Sequence, residues 1–415
     1  MVVKGLKIMA AGIMGLFWTC IGHATVILVP ENQPTIQACI NAANPGDICS
    51  VAPGTYTETP TVIIGGQSAN INLDKAVTLR SRELFGAILD GVDRTSLFIV
   101  VRASALIEGF VIKNAAGGVV QRASTDVGWT ARNLIITGCN YGIGIDQETG
   151  RLGSAVLYNI VSDGNGVGFY TNDANSLHVY NCIASYCEAG FEGCQHNSFT
   201  VDYSLLFGNT TNCREGCPDN GTFLPAFGAN MLYADPRFSQ ASVAGKSFPY
   251  LLHCTSPAVD AGMPDSGLND VTFPPAWGTA RSDIGAYGGP GAFIALSDAE
   301  RQELAGQFLR LYPSGDGTVL TWCKPPGSTG SDVVRGNITV LQLGHGDFSS
   351  ATKECAGDDL VLDSMAYPGA PQPGQAYWFA VRCEGCPGHG TYDSGSPSQI
   401  GSRDPGIAAS GFDCP

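Results

Sequence analysis

The sequence predicts an all-β chain whose main body is a solenoid of stacked strand coils, with a small β-sandwich after it. Three observations carry this. Of 415 residues, 54 are Gly, 44% are hydrophobic and only 14% are charged. That balance suits many short strands joined by tight turns around a sizeable core. Segments in the middle of the chain repeat at a period near two dozen residues. The last hundred residues hold strand-like runs separated by Gly/Pro-rich turns. The length itself suits two or three domains.

The first residues read as an export signal. Lys4 and Lys7 precede an apolar stretch from Ile8 to Ile21, and Gly22-His23-Ala24 supplies a cleavage site. The stretch is short for a bilayer span, which needs ~20 residues, so residues 1–24 are expected to be removed and the mature chain to be secreted without a membrane span. Losing the two lysines takes the net charge from −15 to −17. Nothing basic is clustered enough to neutralise a phosphate backbone, which argues against nucleic acid. An acidic surface favours solubility and can also bind calcium.

Fifteen cysteines include Cys20, leaving fourteen after export. An even number in an exported chain reads as disulfides. Cys39 and Cys49 form the expected pair, joining a short helix to the strand after it. Cys213-x3-Cys217 and Cys383-x2-Cys386 have zinc-like spacing, but no second pair or His completes a site.

The helical periodicity of Thr35 to Asn44 stops at Pro45-Gly46-Asp47, and a strand begins at Ile48. Such a helix covers the open end of a first strand layer. From Ala76 to about Asn209 the repeat appears: ARNLIITGCNYGIGIDQE, LYNIVSDGNGVGFYTND and VYNCIASYCEAGFEGCQHN. Asn133, Asn159 and Asn181 hold equivalent points. Gly109 and Tyr203 continue the register on either side. A period of this size with two or three short strands per unit suggests a coil of a β-solenoid. The asparagines are expected to stack at one bend and to hydrogen-bond along the ladder. A leucine-rich-repeat horseshoe needs regular leucines that are absent here.

These stretches resemble the pectin-lyase-like right-handed parallel β-helix superfamily, through TIQACINAANPGDICSVAPGTYTE near the start. The stretch ADPRFSQ…SPAVDAGMPDSG…RSDIGAYGG, Ala234 to Gly289, resembles the terminal cap of bacterial β-helix proteins called choice-of-anchor Q. Gly288 stands where that family carries an acidic residue. The resemblance covers about Val26 to Pro290. It implies a right-handed parallel β-helix over 25–292, closed by a helical cap at one end and this cap at the other. Asp260, Arg281 and Asp283 then read as ties between irregular cap loops.

A helical linker is expected over 293–311, with Ser297 as N-cap and Glu300 three residues on. Over 312–415 the runs TVLTW, DVVRG, ITVLQL and AYWFAVRC read as strands of a sandwich. The placing of Trp322 and Tyr377-Trp378 resembles fibronectin type III-like modules more loosely, and Cys414 is expected to tie the terminus to a sandwich strand. Asn209, Asn220 and Asn337 begin N-x-Thr triplets that matter only if the host glycosylates them.

In the resembled superfamily, ligands lie along one parallel sheet, here the strands GVVQRAS, GIGIDQE, GVGFYTN and GFEGCQH. Alternation predicts Val119, Ile143, Val167 and Phe191 inward. The outward column is then Arg122, Asp146, Tyr170 and Cys194, with Glu148, Asn172, Glu192 and His196 beside it. Tyr170, Asn172, Glu148 and His196 are candidates to bind polysaccharide or another surface polymer, the tyrosine stacking on a sugar ring.

A lyase on acidic glycans needs a basic residue and a cation, with calcium as the possible cofactor, and Arg122 beside Asp146 and Glu148 is the local arrangement that approaches it. Lys113 belongs to the same repeat but to another face. A hydrolase needs several Asp and a His. Asn172-Asp173 and Gly388-His389-Gly390 are misplaced fragments of that pattern, and Asp146 with Glu192 falls two coils apart, about 9–10 Å. Arg122, Asp146 and Glu192 are thus the candidate catalytic residues, and neither catalytic set is intact. Binding, with catalysis not demonstrable from the sequence, is the expected function, with a lyase or hydrolase acting on uronate-containing glycans as the alternative and a purely structural surface stalk as a third.

Overall fold

A computed structural model of the chain describes residues 24–415 except 61, 65, 123–125, 147–152, 173–175, 194–197, 216–225, 244, 298–299, 302–303, 305–308, 315–316, 325–327, 386–389 and 394–400. The expected export signal, Glu148, Cys194 and His196 therefore lie outside the described residues. So does Asn220.

The body is a right-handed parallel β-helix of about seven turns. Each coil contributes a strand to three faces. The first face runs through Ile48–Val51, Thr78–Ser81, Leu106–Glu108, 127–132, 154–158, Ser176–Tyr180 and Ser198–Asp202, all paired in parallel. The second runs through Gly54–Tyr56, Ala87–Asp90, Val111–Lys113, 134–137, 161–163, Ile183–Ser185 and Leu205–Phe207. The third runs through Gln67–Leu73, Leu97–Val101, Gly117–Gln121, Tyr141–Asp146, Val167–Asn172, Ala189–Gly193 and Thr211–Glu215.

Inward columns fill one dry bore. Leu79, Ile107, Ala131, Leu157, Val179 and Val201 supply the first face, all fully buried. On the third face the column is Ile71, Ile99, Val119, Ile143, Phe169 and Phe191. This corrects the sequence register: Phe169, not Val167, lies next to Ile143, and Val167 pairs with Tyr141. The coil is 26 residues long here, as Asn133 to Asn159 already is, whereas aligning Gly142 with Gly166 shortens it by two. Glycines at both 166 and 168 leave the pattern ambiguous. Packing decides, because the Phe169 and Phe191 rings stack 5.1 Å apart. The aligned glycines are Gly118, Gly142, Gly168 and Gly190. A Cβ on Gly142 would run into the Gly168 carbonyl oxygen and stand 2.7 Å from Ser162 Oγ, so only glycine lets the coils pack this closely here.

The helix Ile36–Ala42, with Thr35 as N-cap, covers the first coil and buries Ile36, Cys39 and Ile40 against the bore. Cys39 and Cys49 are disulfide-bonded with Cα atoms 6.0 Å apart.

Asn133, Asn159 and Asn181 share a left-handed bend between the first and second faces, φ 51°, 53° and 55°. That conformation suits asparagine among non-glycine residues. Their side chains do not hydrogen-bond along the ladder as expected. They reach outward to residues 263–288: Asn133 Nδ2 donates to Ala286 O and Gly288 O, Asn159 Nδ2 to Asp283 O, and Asn181 Oδ1 accepts from Met263 N. The ladder is instead held at the next turn. There Asn165 accepts from Cys139 N and donates to Ile136 O, and Asn209 does the same with Cys187 N and Ala184 O.

The segment 230–296 is accordingly not an end plug. It lies along the side of the helix, against the second face. The outward column there is Ile135, Val161, Ile183 and Leu205, fully buried beneath Phe248, Leu251, Trp277, Ile284 and Tyr287. An outward face of a solenoid need not be polar where a second layer covers it. Each of these four side chains contributes about 1.5–3 kcal/mol by burial, more than any one hydrogen bond of the bend.

Within that layer Asp283 accepts from Asp260 N and Trp277 N, and Asp270 from Asp283 N and Gly289 N. Asp260 holds Thr279, and Arg281 Nε donates to Gly262 O, 2.8 Å. These ties match the structural role expected of Asp260, Arg281 and Asp283. Burial drives the Asp270 carboxyl up to about 7, and burial with the neighbouring Asp270 raises Asp283 well above the usual range.

Beyond Leu296, Ser297 and Glu300 form the expected reciprocal cap, Glu300 N to Ser297 Oγ 3.3 Å and Ser297 N to Glu300 Oε2 2.6 Å. The strand Arg310–Ser314 begins inside the expected linker 293–311. It joins Gly317–Thr321 and Ser364–Tyr367 in one antiparallel sheet. Thr352–Gly357, Gly330–Asn337 and Tyr377–Glu384 form the other. Leu320, Trp322, Val333 and Tyr367 form the core between them. ITVLQL, expected as a strand, is a short helix, Ile338–Leu343. Asn337 caps it by accepting from Val340 N, and none of its side chains is buried, so no sheet face holds this run extended. Cys414 is bonded to Cys355 in a sheet strand, and Cys254–Cys323 joins the side layer to the sandwich.

Two outcomes follow. The paired Asp270 and Asp283 carboxyls hold protons in the folded chain that they release when unfolded near pH 4, so folding is favoured at low pH and loses stability as pH rises toward and through 7. Thermal melts followed by tryptophan fluorescence should give a lower Tm at pH 8 than at pH 5; an equal or higher Tm contradicts the buried-acid assignment. Replacing Asn159 by Gly keeps the left-handed bend but strips the cap of its bonds, and should lower stability by about 2 kcal/mol in denaturant unfolding, with an unchanged result counting against the clamp.

Candidate functional site

The expected site lies on the third face, and the corrected register rearranges it. Arg122, Asp146 and Asn172 now form one outward row. Arg122 Nε donates to Asp146 Oδ2 at 3.0 Å, its Nη2 reaches the same oxygen, and Asn172 Nδ2 lies 3.4 Å from Asp146 Oδ1. Arg122 Nη1 also donates to Ile64 O, 3.1 Å. Tyr170 belongs to a different row, between Gly144 and Glu192.

That second row is covered. The hairpin through Val62–Ile64 folds back on the face, and Leu97, Val100, Val120 and Tyr170 form a buried cluster with Ile64. Tyr170 is only 8% exposed, and burial pushes its phenol well above the ordinary value. Its ring packs against Tyr141, 4.9 Å between centroids. Tyr170 therefore presents no free ring face on which a sugar could stack, which corrects its expected role.

Neither expected catalytic carboxylate is at liberty. Asp146 is engaged by Arg122, and Glu192 by Arg214, whose Nε and Nη2 donate to it at 2.7 and 2.6 Å. Asp146 and Glu192 sit on strands two apart, separated by the strand Val167–Asn172. An acid and a base for glycoside cleavage need freedom to exchange protons and a shared scissile bond, and this arrangement supplies neither. Arg122, locked between Asp146 and Ile64 O, is likewise not poised as a base. Lys113 is on the second face, 3.2 Å from Asp90.

Beside the covered row, where the turns from the second face enter the third, a cleft of about 450 Å³ opens. Tyr141 and Tyr186 are 42% and 59% exposed in its wall, the latter braced edge-on by Phe207. Arg94, exposed and without an ion-pair partner among the described residues, faces it together with Glu188 and Arg214. The left-handed backbone of Tyr186 and Arg94, φ 50° and 60°, turns both outward from the coil. Sequence reasoning missed all three. Tyr186 and Arg94 lie at turns, which have no alternation to read, and Tyr141 is the first residue of its strand, where the alternation only begins.

Three buried thiols line the bore and turns. Burial pushes Cys139 and Cys187 up to about 11 and Cys182 up to about 12, so none is a ready nucleophile. Among the described residues, the groups close enough to hold a metal are His253 with Cys254 and Cys323, and Asp358 with Cys355 and Cys414. Both include a disulfide, whose sulfurs are not thiolate ligands.

No family model matches the chain, and no curated protein matches it in sequence. Among solved structures it is similar to pectate lyase Pel9A, at 11% identity and a TM-score of 0.23, over 63% of this chain and 95% of that one. The fold assignment rests on the strand pairing itself. Among the described residues no helix is long and apolar enough to cross a membrane.

Proposed function

We propose that the protein is an exported, non-catalytic β-helix that binds polysaccharide in the cleft lined by Tyr141, Tyr186 and Arg94. The carrying observation is that two exposed phenol rings and a guanidinium with no ion-pair partner among the described residues share one cavity of about 450 Å³. Exposed tyrosine faces stack on the apolar side of a sugar ring, and the arginine fork donates to a uronate carboxylate in bidentate fashion. Asn172, which faces Asp146 on the same face, is a secondary contact; Glu148 and His196, also expected to bind, lie outside the described residues.

Export is supported by the Lys4-to-Ala24 signal and by disulfides at Cys39–Cys49, Cys254–Cys323 and Cys355–Cys414. In this reading the side layer over 230–296 is a choice-of-anchor Q type segment that covers a face and not an end, and the terminal sandwich a fibronectin type III-like module that spaces the helix from whatever it meets. Calcium is not needed for binding, since the arginine supplies the cation. Cleavage of a uronate glycan is the rival reading, and the ion pairs on Asp146 and Glu192 weigh against it.

The test pairs a glycan array with a lyase assay on a uronate panel. Retention of polygalacturonate is expected, persisting in EDTA, with no rise in absorbance from unsaturated ends. Tyr141→Ala with Tyr186→Ala should weaken retention about tenfold, the loss of about 1.4 kcal/mol of stacking, and Arg94→Ala should weaken acidic glycans selectively. Unsaturated product that disappears in Arg122→Ala or Asp146→Ala would overturn the reading, as would wild-type retention by the cleft variants.

A further inference from the structure

We infer that the first face is a second polysaccharide surface, separate from the cleft, which takes an extended neutral glycan lying along the helix axis. Its central outward column is Thr78, Leu106, Thr130, Val156, His178 and Thr200, one residue per strand. Six strands at ~4.8 Å make a track of about 24 Å. A depression of about 440 Å³ lies over its first half, floored by Thr78, Leu106, Thr130 and Val156.

Rows of hydroxyls flank the column. On one side Ser154 precedes Ser176, whose Oγ is hydrogen-bonded to His178 Nε2 at 2.9 Å. On the other, Tyr158 and Tyr180 stack with centroids 5.8 Å apart and planes 24° from parallel. His178 is parallel to Tyr180 at 6.5 Å. The rings stack on one another, so their edges and phenolic oxygens, not their faces, are turned outward. The hydroxyls of Thr130, Ser154, Tyr158 and Tyr180 have no hydrogen-bond partner among the described residues, although all four residues are only half exposed. A hydroxyl both donates and accepts. Repeated once per coil, such groups match a ligand that carries hydroxyls at a comparable repeat along one direction.

The charges on this face point to a neutral chain. Arg132 is paired with Glu108 at 2.7 Å, and Asp202 accepts from Asn230 N and Nδ2 at 3.0 and 3.2 Å. Arg80 and Arg132 are thus balanced by two carboxylates in the same row, unlike the cleft, where Arg94 has no ion-pair partner among the described residues. The other faces are occupied by their own covering elements, the side layer on the second and the Val62–Ile64 hairpin on the third. Among the described residues neither lines the depression over this track.

The experiment uses the full chain in affinity electrophoresis through gels cast with neutral polymers (xylan, mixed-linkage glucan, galactomannan) and, separately, with polygalacturonate. The triple variant Tyr158→Phe, Tyr180→Phe, Ser154→Ala removes three hydroxyls while keeping the stacked rings, and its Tm confirms that it folds. At least one neutral polymer should retard the native chain, the triple variant should lose tenfold or more of that affinity, and Tyr141→Ala with Tyr186→Ala should leave it unchanged. No retardation by any neutral polymer overturns the proposal. So does retardation untouched by the triple variant, or abolished by the cleft variant alone. Failure of polygalacturonate binding sinks only the reading of the cleft.

Discussion

Parallel pairing of successive coils around one dry bore is the constraint on which every other feature depends. Side chains of a strand alternate, so fixing Leu157 and Phe169 inward fixes what each neighbour presents outward. A slip of two residues leaves the inward set apolar but exchanges which outward groups are adjacent. That is the difference between Tyr170 beside Asp146 and Tyr170 beside Glu192. The register is selected by volume: Phe169 fills the layer above Phe191, where Val167 would leave a void.

The asparagine bend shows how one local conformation serves two layers. The left-handed turn at 133, 159 and 181 closes the corner between two faces, and the same side chains then hold the irregular backbone of 263–288. Hydrogen bonds orient that layer, while the aliphatic column Ile135 to Leu205 supplies most of the attraction. Buried carboxylates inside the layer are satisfied by backbone N–H groups instead of by cations. This preserves a tight packing and lifts their proton affinity, because desolvation outweighs what those donors offset.

Covering elements decide where a ligand can reach. The hairpin over the third face and the layer on the second convert expected surface into interior, which leaves the turn cleft and the first face open. Arginines seal the acids: Arg122 on Asp146, Arg214 on Glu192, Arg132 on Glu108. Each of these acids is held by a cation one coil away, and the proposed binding role rests on that pairing.

Much of the architecture was legible in the sequence because its causes are local. Asparagine tolerates the left-handed bend, so Asn133, Asn159 and Asn181 marked the corners of successive coils; Pro45-Gly46-Asp47 ended the capping helix; and Cys39 and Cys49 lay where a helix and its next strand meet. The run ITVLQL misled because β-branched residues favour a strand only where a sheet face is available to bury them. The site was less legible. Whether Tyr170 meets solvent depends on a hairpin about a hundred residues earlier in the chain, and whether Asp146 is free depends on Arg122 one coil away. The exposed Tyr141 and Tyr186 emerge only when turns of different coils are stacked. Local conformational preference thus determined the repeat, the bends and the first cap, while exposure and charge pairing, which are properties of neighbours distant in sequence, were decided by the tertiary structure.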